Sequence, residues 1–448
     1  MKRYPRTRVS HFGAALLLSA TLSAFAQRPP VDEPVMSHVV IHGLTVGTES
    51  PPPSLITQKA LGVITGRPIQ GQIIHWARDR KKGLYETRAV ITPGGDYLLM
   101  FPDGQHYAHS ADKQNDMLSY RSSDRGKTWV GPKIAFDIDY NQHGFIPLIP
   151  RGSKRIYAFG TQPIWGLYTR EHGLYENAPI GYRYSDDDGH TWCEVRVIRP
   201  QNDPDFRGMS VTRMCETERG TWLLGAHTGD SSYHPLQTRQ YILRSENQGK
   251  TWTLLPDARN GGWADLALGR MDEGRPIALG GDHVLFMTRT PSGHLWELRS
   301  NDDGKTWSDP RPTGLVQPDA PPMLFHLSDQ KTLIVFFHNR FHSRNYIGLT
   351  SKDIAQMADR SEIWFATSGD AGVHWSEPRF VFATIVDQDL GNPFRNYNCS
   401  YLDMIEDQGV IHLFVPHRWE RVLQLTFRES DLGQFPTAEE LRQRLAQN

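Results

Sequence analysis

The stretch "RSSDRGKTW", Arg121 to Trp129, joins a short polar turn to a glycine for the bend and a tryptophan to be buried. The chain writes it again as "YSDDDGHTW" (Tyr184 to Trp192), "RSENQGKTW" (Arg244 to Trp252) and "RSNDDGKTW" (Arg299 to Trp307). A worn copy, "TSGDAGVHW", runs from Thr367 to Trp375. A turn recurs five times only if the unit around it recurs. The opening serines, Ser122, Ser185, Ser245, Ser300 and Ser368, lie 63, 60, 55 and 68 residues apart. Periodicity on this scale marks an array or a propeller.

Each copy holds the same place in its unit. An apolar strand meets a tight turn, as in "RAVITPGGDYLLMF", and a second strand follows. A long polar connector leads to a third strand such as "DMLSYRSS", then the repeated turn, then a short fourth strand. Four short antiparallel strands with turns at hairpin spacing make a propeller blade. First strands begin near Arg88, Phe145, Val211, Arg275, Met323 and Tyr401, which makes six blades. The sixth runs out at "LQLTF", so the N-terminal segment 27–83 is expected to supply a closing strand, with "SHVVIHGL" in that role. A seventh blade within residues 38–76 is the alternative, and 431–448 reads as a short C-terminal helix. The expected class is all-β: a six-bladed β-propeller of four-stranded antiparallel sheets over residues 84–430.

Within the turn, the Asp accepts hydrogen bonds from backbone N–H groups and the Gly takes an angle other residues resist. The Trp is expected to be buried between neighbouring sheets. The turn is thus a folding staple. Ser-x-Asp-x-Gly-x-Thr-Trp, so repeated, resembles the Asp-box (bacterial neuraminidase) repeat, and residues 84–430 resemble the sialidase superfamily of propellers. The resemblance implies a glycoside hydrolase that removes a terminal acidic sugar from a glycan, without cofactor or metal. Fold alone does not confer chemistry.

Residues 1–26 read as a secretory leader. Lys2, Arg3, Arg6 and Arg8 precede the apolar run "AALLLSATLSAFA", which ends in the small-x-small pattern Ala24-Phe25-Ala26. The run is too short to span a bilayer as a helix. A secreted or periplasmic chain beginning near Gln27 is expected, its formal charge moving from −1 to −5 as four positive charges leave. That balance gives no basic footprint for nucleic acid. Three scattered cysteines, Cys193, Cys215 and Cys399, write neither a disulfide framework nor a metal site. The expected partner is an acidic glycan met by a monomer.

The repeat also says where to look for chemistry. Hairpins 1–2 and 3–4, with the boxes, lie at one end of the ring. Connectors 2–3 and the blade-to-blade connectors lie at the other, where Arg, His, Asp and aromatic residues concentrate. Loops on a rigid scaffold commonly carry function. Sialidases hold the substrate carboxylate with three arginines, supply an Asp as acid/base and use a Tyr activated by a Glu as nucleophile. A guanidinium fork matches a carboxylate, and Tyr needs a base because its free pKa is near 10. Carried onto this chain, the substrate-binding arginines are Arg88, Arg289 and Arg344, with Arg340 as the alternative to the last. The catalytic set is Asp112 (or Asp116) as acid/base, Glu273 as base and Tyr401 (or Tyr397) as nucleophile. All are expected to converge on one cleft. Against that stands a face rich in histidine, including His106, His227, His338 and His417, which suits a uronate-directed lyase or a rhamnosyl-glucuronate hydrolase. A non-catalytic carbohydrate-binding propeller is the third reading.

Overall fold

The computed structural model describes residues 33–77, 83–84, 86–104, 116–138, 145–161, 177–230, 232, 236–257, 261–265, 267–340, 359–391, 396 and 398–446. The leader, Asp112, Arg344 and Tyr397 lie outside these residues.

Six antiparallel sheets stand around one axis. The innermost strands are Arg88–Ile91, Ile146–Leu148, Ser210–Glu216, Asp272–Gly280, Met323–His326 and Asp403–Asp407, numbering the blades one to six. Alternation along a strand feeds two interfaces at once. In Tyr97–Gly104 of blade one, Tyr97, Leu99 and Phe101 pack toward blade six while Leu98 and Met100 pack toward blade two. Six apolar clusters result, one for each blade interface.

The ring is closed by Gln70–Trp76, which pairs antiparallel with Arg421–Arg428 as the outer strand of blade six. This corrects the expectation for "SHVVIHGL". His42 and Gly43 take positive φ angles of 46° and 80°, a two-residue turn of the kind hairpins favour. His38–Ile41 therefore folds back on Leu44–Gly47 and is already paired. The hairpin instead packs Val39, Ile41 and Val46 on the cluster between blades four and five. Blade five gains two outer strands, Val63–Thr65 and Ile56–Gln58. A helix, Ala438–Leu445, starts at a capping box formed by Thr437 and Glu440 and lays Leu441 on the same cluster.

The five repeated turns share one geometry. In the first, Ser122 Oγ accepts from Gly126 N at 2.8 Å, and Asp124 accepts from Thr128 N at 2.9 Å and Thr128 Oγ1 at 2.6 Å. These bonds, the Thr128 hydroxyl first, hold the Asp124 carboxyl down to about 2. In the worn copy His374 replaces the Thr and keeps both bonds to Asp370, at 2.9 and 2.7 Å. The tryptophans are less buried than expected. Trp252 is buried, whereas Trp129, Trp192, Trp307 and Trp375 are half-buried at the ends of their interfaces. The turn lies at the rim of each sheet, so one ring edge faces solvent while the other meets a neighbour, as Trp129 meets Phe414 of blade six.

Candidate active site

Every innermost strand begins at the end opposite the boxes, and a connected group of buried ion pairs stands there. Glu273 lies at the start of Asp272–Gly280, Arg289 ends His283–Arg289, and Tyr401 stands just before Asp403–Asp407. The Tyr401 hydroxyl donates to Glu273 Oε1 at 2.8 Å. Arg289 Nη1 donates to Glu273 Oε2 at 2.6 Å and reaches Tyr401 Oη at 3.4 Å. Three residues from two blades thus meet in one hydrogen-bonded group.

Both acid-bearing residues of that group take left-handed backbone angles, φ 50° at Glu273 and 64° at Tyr401. Such angles in non-glycine residues cost of order 1–3 kcal/mol and persist where surroundings over-determine them. The surroundings do so here. Thr87 N and Oγ1 bond the Tyr401 carbonyl at 3.3 and 3.2 Å, and Gln240 Oε1 accepts from Gly274 N at 2.8 Å. One residue before Tyr401, Ser400 Oγ bonds His338 Nε2 at 2.6 Å.

Acidic side chains surround Arg289. Asp319 Oδ1 accepts from its Nε at 2.7 Å, and Asp272 lies 3.5 Å away. Arg270 joins Asp272 at 2.8 Å and Asp319 at 3.3 Å. Burial works against the Arg289 charge, but Asp319, Glu273 and Asp272 outweigh it and raise its pKa well above the ordinary value. Arg360 stands beside this group, buried, with its guanidinium 5.9 Å from the centre of the Tyr401 ring and one nitrogen on the Asp319 carbonyl. Burial, then the Arg289 charge, lowers its pKa. For Tyr401, burial first and the Glu273 charge second raise the phenol, while Arg289 and Arg360 oppose them. Tyr401 is a neutral hydrogen-bond donor held against a base.

Other residues singled out in the sequence stand around this group or away from it, with His227 Nδ1 3.5 Å from the Glu273 backbone nitrogen. Arg88 is buried on the innermost strand of blade one, paired with Glu86 and the Thr87 carbonyl. Arg340 pairs with Asp359 at 3.0 Å and with Glu362, which anchors it to blade five. Asp116 begins its strand opposite Asp103 and Asp137. His338 has both ring nitrogens bonded, to the Glu362 carbonyl and Ser400. His417 bonds Thr384 and Arg421. His106 lies outside the described residues. Arg360, Asp319 and Asp272 were not foreseen. Arg360 stands two residues before the third strand of blade five, Glu362–Ser368, at the end opposite the boxes, and that placement was the available signal. Among the described residues no group of three or more His, Cys, Asp or Glu side chains is placed to hold a metal.

A cavity of about 690 Å³ lies at the box end, lined by residues such as Glu216, Gly280 and Gln330 of the 1–2 hairpins. Its volume does not make it the reactive centre. Tyr401, Glu273 and Arg289 are at the other end of the axis, and charge pairing with a positioned phenol and base weighs more than size.

Solved structures similar to this chain share its fold. No curated protein matches the chain. Its fold is similar to a Hadza microbial sialidase, Hz136 (17% identity, TM-score 0.58, 81% of this chain and 69% of that one). It is similar to the NanB sialidase of Streptococcus pneumoniae (13%, TM-score 0.54, 80% and 71%). The intramolecular trans-sialidase of Ruminococcus gnavus is a third (14%, TM-score 0.52, 81% and 98%). At these identities the likeness is one of fold. Residues 157–413, more than half of the chain, match the BNR repeat-like domain, and the chain belongs to that family of β-propellers.

Proposed function

We propose that this protein is a secreted, exo-acting glycoside hydrolase of sialidase type that removes a terminal acidic sugar. The observation that carries the reading is the Tyr401 phenol donating to Glu273 at 2.8 Å with Arg289 and Arg360 alongside. A phenol is a poor nucleophile until a base takes its proton, and a neighbouring carboxylate supplies that base. Arg289 and Arg360 bring positive charge to the phenol, which favours the phenolate as the proton moves to Glu273. The same guanidiniums suit the sugar carboxylate.

In the reaction, Tyr401 Oη bonds to the anomeric carbon as the bond to the leaving oxygen breaks. Asp112, assigned by its place in the first 2–3 connector, protonates that oxygen. Water then displaces Tyr401 with Asp112 as base, which gives net retention. Arg344 keeps a carboxylate-binding assignment from its place in the sequence. Arg88, paired with Glu86 deeper along the axis, supports the site through Thr87, which holds the Tyr401 carbonyl.

Purified protein incubated with an aryl sialoside, a rhamnosyl-glucuronate and uronic-acid polysaccharides tests the reading. Release of the terminal acidic sugar with retained configuration is expected. An unsaturated uronate chromophore, rhamnose release, or binding without turnover would each replace it.

A further inference from the structure

Two residues beyond Glu273 and Tyr401 along their strands, a second charged group fills the axis. It contains Arg88, Arg213 and Arg275 with Glu86 and Asp403. Arg275 is 1% exposed, Arg88 and Glu86 are each 2% exposed, and Asp403 is 0% exposed. Both carboxylates are engaged with other partners. Asp403 takes Arg213 at 2.8 Å and the Ala89 N–H at 2.8 Å, and Glu86 takes Arg88. Arg275 Nε and Nη1 are buried, with no hydrogen-bond partner among the described residues.

Among the described residues, three guanidiniums thus face two carboxylates, and the surplus charge sits where burial is nearly complete. A buried charge is costly unless paired and hydrogen-bonded. Burial first, then Arg88 and Arg213, pushes Arg275 down to about 9, which still leaves it cationic at neutral pH. The guanidiniums of Arg275 and Arg213 lie 5.9 and 5.2 Å from the centre of the Phe325 ring. Arg213 and Phe325 also line the 690 Å³ cavity at the box end. Solvent therefore comes within one side-chain layer of the surplus charge, from the end opposite Tyr401.

We propose that the axis is a binding site for a small monovalent anion of the chloride class, held by Arg275 Nε and Nη1 with Arg213 beside it. One negative charge balances the group, and a halide accepts both N–H bonds without needing donors of its own. The site is separate from the Arg289–Arg360 pair and does not depend on the reading of Tyr401.

Thermal unfolding in chloride against gluconate at matched ionic strength is the first test. Chloride should raise the Tm saturably, by about 2–3 °C. Arg275→Met should abolish the chloride difference. Bromide-soaked crystals of the unaltered protein provide a readout independent of that variant's folding, with an anomalous peak expected within hydrogen-bond reach of Arg275. An equal chloride response in Arg275→Met would reduce the effect to general salt stabilisation. No bromide peak in the axis, or a peak only at Arg289 and Arg360, would overturn the proposal.

Discussion

At the box end of the propeller, each repeated turn bonds its own backbone and adds single cross-blade pairs such as Arg244 with Asp303 and Tyr97 with Asp407; at the opposite end charged side chains from several blades bond one another in one group. Asp124, Asp187, Asp302 and Asp370 each close a turn onto a residue four positions on. Arg244 and Arg299 extend the pattern by one blade, reaching carbonyls of the next box at Asp303 and at Ala371 and Gly372. Glu273, Arg289, Arg360 and Tyr401 come from blades four, five and six and satisfy one another. The first arrangement is local and repeats. The second is assembled once, by the closed ring; left-handed non-glycine angles occur at both ends, at Glu273 and Tyr401 and at the residue before each box glycine, such as Arg125. Local bonding stabilises, whereas a converging set of charges can act on a substrate. Variants at the two ends should therefore separate stability from activity.

The largest effect is expected at Tyr401. Tyr401→Phe removes the group that donates to Glu273 but keeps the ring beside Arg360. On the hydrolysed sialoside, kcat should fall by about 10³-fold with KM little changed. Unchanged turnover would show that the phenol is not the nucleophile and that the end opposite the boxes only binds. Arg289→Lys keeps a positive charge among Asp319, Asp272 and Glu273 but loses the planar fork. It should raise KM by about 10-fold or more, read from initial rates.

Much of this was legible in the sequence, and unevenly. The boxes announced the blades because each turn is solved by its own residues, so Ser122 to Thr128 needs no distant partner. Glu273, Arg289 and Tyr401 were reachable because strand order alone sorts residues by end. The closing strand was not: Gln70–Trp76 draws its identity from Arg421–Arg428, some 350 positions away. The hairpin at His38–Ile41 shows the stronger alternation, and it is satisfied locally. Arg360, Asp319 and Asp272 were missed for a related reason. A lone Arg or Asp before a strand becomes informative only when the charges facing it are known.

Acid should weaken the end opposite the boxes and the blade interfaces, not the turns. Burial pushes His338 down to about 3 and His412 down to about 4, and it holds His417 well below the ordinary value. Their contribution to stability is therefore present above about pH 6.5 and is lost as pH falls toward the folded values. Glu362 acts in the opposite sense. Burial raises it to about 7, so the folded state takes up its proton first and gains between about pH 7 and 4.5. Three histidines outweigh one carboxyl, and unfolding free energy should drop by about 3–5 kcal/mol from pH 7 to pH 5. Denaturant titrations at the two pH values measure this, and a flat or rising stability would refute it.

Trp307→Ala tests the box end directly. Trp307 meets Phe286 with ring centres 5.7 Å apart and Trp263 at 6.3 Å, but one edge is exposed. The cost should be about 2–3 kcal/mol, below the roughly 3–5 kcal/mol of a fully buried tryptophan. Activity per folded molecule should not change. Lost activity in a folded Trp307→Ala protein would mean that the two ends are coupled through the sheets.

The smallest effect is expected where the repeat departs from itself. In the third box Asn247 replaces the Asp and keeps the geometry, accepting from Thr251 N at 2.9 Å. Its Nδ2 donates to Thr251 Oγ1 at 2.9 Å, so this bond runs opposite to the hydroxyl-to-carboxylate bond of the other boxes. If acceptor geometry toward the backbone holds the turn, the charge of the Asp is incidental. Asn247→Asp should then reverse one hydrogen bond and leave the backbone bond intact. Glu246 beside it is already paired with Arg244 at 2.8 Å, which keeps the added charge from meeting a bare neighbour. The change in stability should stay within about 0.5 kcal/mol, as for other exposed positions. A gain well beyond that, measured by denaturant unfolding, would show that the carboxylate charge itself holds the boxes. The two ends would then both rest on charge, and the contrast between them would lie only in whether the partners are near in sequence.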